Sequence, residues 1–337
     1  MLVAFSVGLR AWGTYVPPHV ETAADVAART GIPEEVVAHK MGLRRKHVAG
    51  EDDHCAAMAA RAARLALERA GVPPDSIDLI LYHGSEYKEH FVWNAATHVQ
   101  RLIGASNAAA FELYALCAGT PIALKTARAL MRDDARLRRV LLVTASREND
   151  LVDYANPRAR FMFNFGAGAG ALLLEREWRR HTILGSAVIS DGTLSEAVIM
   201  PAGGSRMPPS QETVARGLHT LDVPDLDFMG RRLGEVSMPN FLRVIQQAVE
   251  ASGARVQDID FLALVHMKRS FHEALLDALG LRADQSLYLD EYGHMQSVDQ
   301  IMALELAHAR GVLHEGALVV LAAAGTGYTW SAVAIRW

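Results

Sequence analysis

Two cysteines stand in the chain, Cys55 and Cys117, with no CxxC spacing. Neither a disulfide framework nor a zinc site follows from such a pair, so each thiol has to be explained singly. Cys117 ends an apolar approach, Phe111-Glu-Leu-Tyr-Ala-Leu, and precedes Ala118-Gly119-Thr120-Pro121 at the head of a helical pattern. A thiol placed there meets the positive end of a helix dipole, which favours the nucleophilic thiolate. Gly119 admits a substrate close to the backbone, and Pro121 fits a first helical turn, where no donor is needed. Cys55, in His54-Cys-Ala-Ala-Met-Ala-Ala, reads as small apolar filler on an amphipathic helix. No H-x₃-H pair with a third ligand marks a metal site among the histidines.

The elements that must position these groups alternate as in an α/β protein with buried sheets. Strands are expected at Val3–Gly8, Leu79–Tyr82, Val140–Ala145, Gly170–Leu174, Ile183–Ile189, Phe261–Val265, Ala317–Ala322 and Ala332–Ile335. Helices are expected at Cys55–Ala70, Phe91–Leu102, Gly119–Met131, Met238–Ser252, Ser270–Leu279 and Val298–Arg310. The order repeats. Strand, helix, Cys117 opening a helix, strand and a small-residue run are followed by strand, helix, Gly293-His294 opening a helix, strand and a final apolar run. Cys117 to Val140 and His294 to Leu318 span nearly the same length, so Cys117 and His294 are expected to meet at a pseudo-two-fold axis. The halves are drawn at 1–178 and 179–337.

The chain has 337 residues, 50% hydrophobic and 21% charged, with a formal net charge of −4. Half the positions being apolar excludes global disorder, and the balanced charge gives no field for nucleic acid or an acidic membrane. The cysteine usage suits a reducing cytoplasm. The apolar start, Met1 to Leu9, lacks a basic segment and a cleavage site. Gly316 to Ile335 is long enough to span a bilayer. The run Gly325-Thr326-Gly327-Tyr328-Thr329 in its middle argues for two strands joined by a turn.

Five segments carry a family likeness: Met41-Gly42-Leu43-Arg44-Arg45-Lys46-His47, Cys117-Ala118-Gly119, Phe165-Gly166-Ala167-Gly168-Ala169-Gly170, Asp191-Gly192 and Gly325-Thr326-Gly327-Tyr328-Thr329-Trp330. In register from Leu2 to Trp337, they resemble the landmarks of β-ketoacyl-acyl-carrier-protein synthase III and its relatives on the thiolase fold. The resemblance implies a five-layered αβαβα subunit of two pseudo-symmetric halves, usually a homodimer. It also implies an acyl group taken onto Cys117 from CoA or carrier protein, with no permanently bound cofactor.

In that family a histidine and an asparagine assist the cysteine. Gly293-His294 stands where the family has Gly-Asn, and an ungapped count puts Val265 on the histidine position with His266 one residue late. One residue along a strand is the opposite face, so His266 reaches the site only through a local bulge. Asp299, one turn into the helix after His294, is placed to orient its imidazole as in hydrolase triads. A Cys117–His294–Asp299 set suits acyl transfer to a hydroxyl or amine with His294 as base, as in the family's ester-forming branch. The alternative is decarboxylative condensation with a malonyl thioester, using Cys117, His266 and His294. A non-catalytic chain-length partner is a third reading, which an intact thiol at a helix start argues against.

Backbone amides of Cys117 and Thr326 are expected at the oxyanion. Thr326 replaces the middle glycine that the family usually has. Glu86, in Gly84-Ser-Glu, resembles an acid/base glutamate of the 3-hydroxy-3-methylglutaryl-CoA synthase relatives. Val36 and Lys40 replace the tryptophan and arginine that stack on CoA adenine in synthase III relatives. Delivery by carrier protein is therefore also open, with Lys40, Arg44, Arg45, Lys268 and Arg269 as phosphopantetheine or carrier contacts. The Gly166–Gly170 run lacks a following Lys-Ser/Thr and reads as close packing under the site rather than a phosphate loop.

Overall fold

The structure is a computed structural model that describes residues 5–337. Its first half carries strands β1 (Val7–Tyr15), β2 (His19–Thr22), β3 (Arg45–Val48), β4 (Leu79–Tyr82), β5 (Ala109–Glu112), β6 (Arg139–Ser146) and β7 (Gly168–Arg176). Between them lie helices α1 (Ala23–Thr30), α2 (Cys55–Ala70), α3 (Ala95–Ile103) and α4 (Gly119–Asp133). The second half carries β8 (Thr182–Ser190), β9 (Phe261–Leu264), β10 (Leu318–Gly325) and β11 (Thr329–Arg336). Its helices are α5 (Gln211–Ala215), α6 (Leu226–Glu250), α7 (Arg269–Leu279) and α8 (Asp299–Ala309).

Among the described residues, nine strands form one sheet in the order β5-β4-β6-β7-β1-β8-β11-β10-β9, and β2 pairs with β3 separately. From the β5 edge inward, β4 runs parallel to β5 and β6, while β6, β7 and β1 pair antiparallel. From the β9 edge inward the pattern is the same: β9 is parallel to β10, and β10, β11 and β8 pair antiparallel. A single bridge, Leu262 with Ser286, stands where the fifth strand would lie. β1 and β8 meet through one residue pair, Gly8 with Thr182, so the sheet folds into two layers there.

Helix α2 covers β1, β6 and β7, and α6 covers β8, β10 and β11. Helices α4 and α8 lie between the layers, each touching strands of both halves. This gives the five layers αβαβα. Strand burial shows why the sequence runs apolar without alternation. In β6, Val140 and Leu142 enter the central core, whereas Leu141 and Val143 enter the outer core under α2 and α3. In β10, Val319 and Leu321 face the centre, and Leu318, Val320 and Ala322 face the α6 side. A strand apolar on both faces is the signature of a doubly covered sheet.

The sequence-based elements need several corrections. The first strand begins at Val7; the Val3 and Ala4 of its expected span lie outside the described residues. Helix α6 begins at Leu226 rather than Met238, and carries Pro239 inside it. The β2–β3 pair, β5, α1 and α5 are additional elements. Gly316 to Ile335 forms the β10–β11 hairpin, and among the described residues no helix is long and apolar enough to cross a membrane. Neither Cys117 nor His294 opens a helix directly. Cys117 lies in a single 3₁₀ turn, Leu116–Ala118, before α4, and the matching turn before α8 is Gln296–Val298. By strand order and turn, the counterpart of Cys117 is therefore Ser297, with His294 on the loop before it.

Candidate active site

Helices α1, α3 and α6 begin with side-chain caps from Thr22, Asn94 and Asp225. Helices α4 and α8 have none. Their N-terminal amides, the positive ends of two dipoles, converge on the centre of the molecule. The turn before α4 begins with Leu116 in the left-handed region, at φ 50°. Gly325 holds that turn closely: a Cβ there would lie 2.8 Å from the Ala118 nitrogen and 3.1 Å from that of Cys117.

Cys117 Sγ lies 3.2 Å from His294 Nε2, and His294 Nδ1 lies 2.6 Å from Asp299 Oδ2. Asp299 is fully buried as the first residue of α8. Its carboxylate also accepts the backbone N–H of Met295 at 2.7 Å and of His266 at 2.7 Å. With Oδ2 accepting Nδ1–H, the Nε2 of His294 is left facing the thiol. The His294 backbone is fixed by a bridge to Phe165, its N–H donating to Asn164 O at 2.8 Å and its O accepting from Gly166 at 2.9 Å. The Phe165 ring packs edge-on against the imidazole, centroids 5.0 Å apart. Burial opposes charge on this ring. The Asp299 carboxylate and Cys117 outweigh it and raise the imidazole well above its ordinary value.

Small residues at the start of β7 let the Tyr292–Ile301 segment lie against the strand. A Cβ on Gly168 would meet Met295 Sδ at 2.6 Å, and one on Gly170 would meet Ile301 at 2.8 Å. The Gly166–Gly170 run thus packs beneath the site. Across the axis, Ser297 is fully buried: its Oγ bonds Thr144 Oγ1 at 2.6 Å and donates to His83 O at 3.2 Å. Thr120 Oγ1 donates to Ser297 O at 2.5 Å, so the two helix starts are bonded to each other. Among the described residues, neither the Cys117 amide nor the Thr326 amide has a protein acceptor. The Cys117 amide lies in the thiol's own turn, and Thr326 follows Gly325, which lies against that turn.

The remaining expected residues are not brought onto the thiol. No bulge re-aims His266; its Nε2 bonds Gly42 O at 3.0 Å, and its ring packs on Tyr288 at 4.7 Å. Glu86 is exposed. A buried carboxylate missed in the sequence is Glu148, which accepts from Ser85, from Ser146 at 2.6 Å and from the Arg147 amide at 3.1 Å, tying the loop after β4 to the end of β6. Burial raises its pKa. Arg44 and Arg269 share Asp290, and Arg45 pairs with Glu291. Lys40 and Lys268 are exposed, with no acidic partner among the described residues. Cys55 is buried, its Sγ donates to Tyr87 O at 3.2 Å, and burial together with Glu148 and Glu89 pushes its thiol well up.

Comparison with known proteins bears on this arrangement. Residues 249–337 match the family "3-Oxoacyl-[acyl-carrier-protein (ACP)] synthase III C terminal". Residues 111–192 match "3-Oxoacyl-[acyl-carrier-protein (ACP)] synthase III". The β-ketoacyl-[acyl-carrier-protein] synthase III of Rhizobium meliloti is 30% identical over 98% of this chain and 98% of its own. That of Caldanaerobacter subterraneus is 29% identical over 100% of this chain and 99% of its own. The crystal structure of β-ketoacyl-[acyl-carrier-protein] synthase III from Thermus thermophilus superposes with a TM-score of 0.84 at 25% identity, covering 98% of this chain and 99% of that one. With its thiolase-like α/β fold, the chain is an acyltransferase of the ketoacyl synthase III type and belongs to the 3-oxoacyl-acyl-carrier-protein synthase III family.

Proposed function

We propose that Cys117 takes an acyl group from a CoA or carrier-protein thioester and that His294, oriented by Asp299, passes it to the hydroxyl or amine of a small acceptor. Cys117 gives its thiol proton to His294 as its sulfur attacks the thioester carbonyl, the Cys117 and Thr326 amides receive the oxyanion, and the donor thiol leaves with that proton. The acceptor then attacks the acyl-enzyme while His294 takes its proton, and the Cys117 sulfur leaves. One observation carries this reading: the thiol faces an imidazole whose other nitrogen is bound to a buried carboxylate, a nucleophile–base–orienter chain.

The relatives favour a second reading, and on the comparisons alone it has the better support. Both relatives, similar over nearly the whole chain, are named β-ketoacyl-[acyl-carrier-protein] synthase III. That points to decarboxylative condensation with a malonyl thioester, as in fatty-acid or polyketide synthesis, with His294 and His266 at the nascent carbanion. Weighing against it here, the His266 Nε2 is engaged by Gly42 O. Lys40 and Lys268 are the candidate contacts for a phosphopantetheine phosphate or a carrier, with Arg44, Arg45 and Arg269 beside them. A cytoplasmic homodimer without a bound cofactor completes the proposal.

The experiment is a chase. Protein acylated on an acyl-CoA or acyl-carrier panel is split between malonyl thioester and a set of alcohols and amines. Ester or amide product without carbon dioxide supports transfer. Release of carbon dioxide with a 3-oxoacyl product overturns it in favour of condensation.

A further inference from the structure

The turn that begins at Gly325, against the Cys117–Ala118 backbone, also carries Tyr328, a polar group the reaction above leaves unused. Its backbone is locked: Tyr328 N–H donates to Asp191 O at 3.2 Å, and Tyr328 O accepts from Asp191 N–H at 2.9 Å. Asp191 is in turn ion-paired with Arg232 of α6 at 2.7 Å. The phenol ring is therefore placed by three elements at once, and it is buried in the same apolar cluster as Cys117, Val152 and Met229. The nearest partner of its hydroxyl is the Met229 thioether, 4.0 Å away. A thioether at that distance is a weak acceptor, so the O–H has a hydrogen bond left to give. A phenylalanine would fill the same wall without that cost. Burial and the neighbouring Cys117 raise the phenol's pKa, so it stays a donor throughout the working range.

We infer that Tyr328 selects the acyl group: its O–H donates to an oxygen carried on the acyl chain, so the preferred donors are oxygenated acyl thioesters rather than plain alkyl or aryl ones. This rests on the acyl-enzyme at Cys117 proposed above. A site built to hydrogen-bond a substrate group discriminates sharply against the analogue that lacks it, because its own polar group is then left unpaired.

The test sets two matched donor pairs in competition, butyryl-CoA against 3-hydroxybutyryl-CoA and benzoyl-CoA against 2-hydroxybenzoyl-CoA. Adducts on wild type and on Tyr328→Phe are read by intact mass. Wild type should favour the oxygenated member of at least one pair roughly tenfold or more. Tyr328→Phe should abolish that preference while acylation by the plain member stays within about threefold. No preference in wild type for either pair, or an unchanged ratio in Tyr328→Phe, overturns the assignment. Wild type that takes no adduct from any CoA or carrier donor removes the acyl-enzyme itself, and the inference with it, a result distinct from adducts formed without preference.

Discussion

Leu116-Cys117-Ala118-Gly119 and Gln296-Ser297-Val298-Asp299 are one turn built twice. Each begins with a non-glycine residue in the left-handed region, Leu116 at φ 50° and Gln296 at φ 54°. Each passes through one 3₁₀ turn and starts a central helix without a side-chain cap. Their side chains part company. Ser297 Oγ is spent on Thr144 and the His83 carbonyl, so this turn anchors. Cys117 Sγ meets His294, so the other turn is free to react. The groups that the second half brings to the thiol flank Ser297, His294 before it and Asp299 at the start of α8. On the proposed reading, a duplicated fold needs only one nucleophilic turn, provided the other holds it in place.

Exchanging the two side chains is the most severe way to break that comparison. In Cys117→Ser/Ser297→Cys the thiol should take no acyl group, because its position faces Thr144 and a carbonyl rather than an imidazole. An adduct on the relocated thiol would mean that the turn alone confers reactivity.

Next in size are the groups that work on the thiol. His294→Ala should lower turnover roughly 10²–10⁴-fold while slow acylation persists. Asp299→Asn should cost about as much, since the carboxylate fixes both tautomer and ring orientation. Turnover within a few-fold of wild type in either variant removes that residue from the mechanism.

Ser297→Ala is expected to act on stability instead. Losing the bond to Thr144 leaves a buried hydroxyl with one partner fewer, a loss of about 1–3 kcal/mol in denaturant unfolding with the acylation rate held within about tenfold. Full stability with abolished acylation would reverse the roles assigned to the two turns.

The smallest effect is the pH dependence that a single buried ring contributes. Burial, the leading cause in each case, holds His83 at about 3 and His266 and His272 at about 4, below the ordinary 6.5. Between those values and 6.5 the unfolded chain binds more protons than the folded one. Stability is therefore full above about pH 6.5 and is lost as pH falls. At pH 5 the loss is on the order of 1–2 kcal/mol per ring. Urea unfolding at pH 7 and pH 5 should show it, and His272→Leu, which touches neither turn, should flatten the slope. A profile that rises toward acid contradicts neutral burial of these rings.

Much of this was legible because the physics is local. A buried strand such as β4 or β6 is rich in leucine and β-branched residues, and α2 ends where Gly71 takes the left-handed conformation before Pro73. The repeat predicts the Cys117–His294 meeting, and the structure shows it in a different register. Equal spacing cannot see that Gln296 turns left-handed, so it points three residues early, to His294 instead of Ser297. β5 was missed because its four residues, Ala109–Glu112, carry no fully buried position. The start of α6 was missed because Pro239 reads as a first-turn proline, although the helix runs through it. Glu148 and the orientation of His266 depend on contacts far along the chain, with Ser85 and with Gly42, which no window of sequence contains.

The two cysteines give the most direct measurement. Cys55 is locked onto the Tyr87 carbonyl, and its burial raises the thiol pKa, whereas Cys117 meets a paired imidazole. After incubation with acyl-CoA and acyl-carrier donors, peptide mapping should place the acyl mass on the peptide that holds Cys117 and leave Cys55 unmodified. An acyl group mapped to Cys55, or an adduct that persists undiminished in Cys117→Ala, would contradict the account.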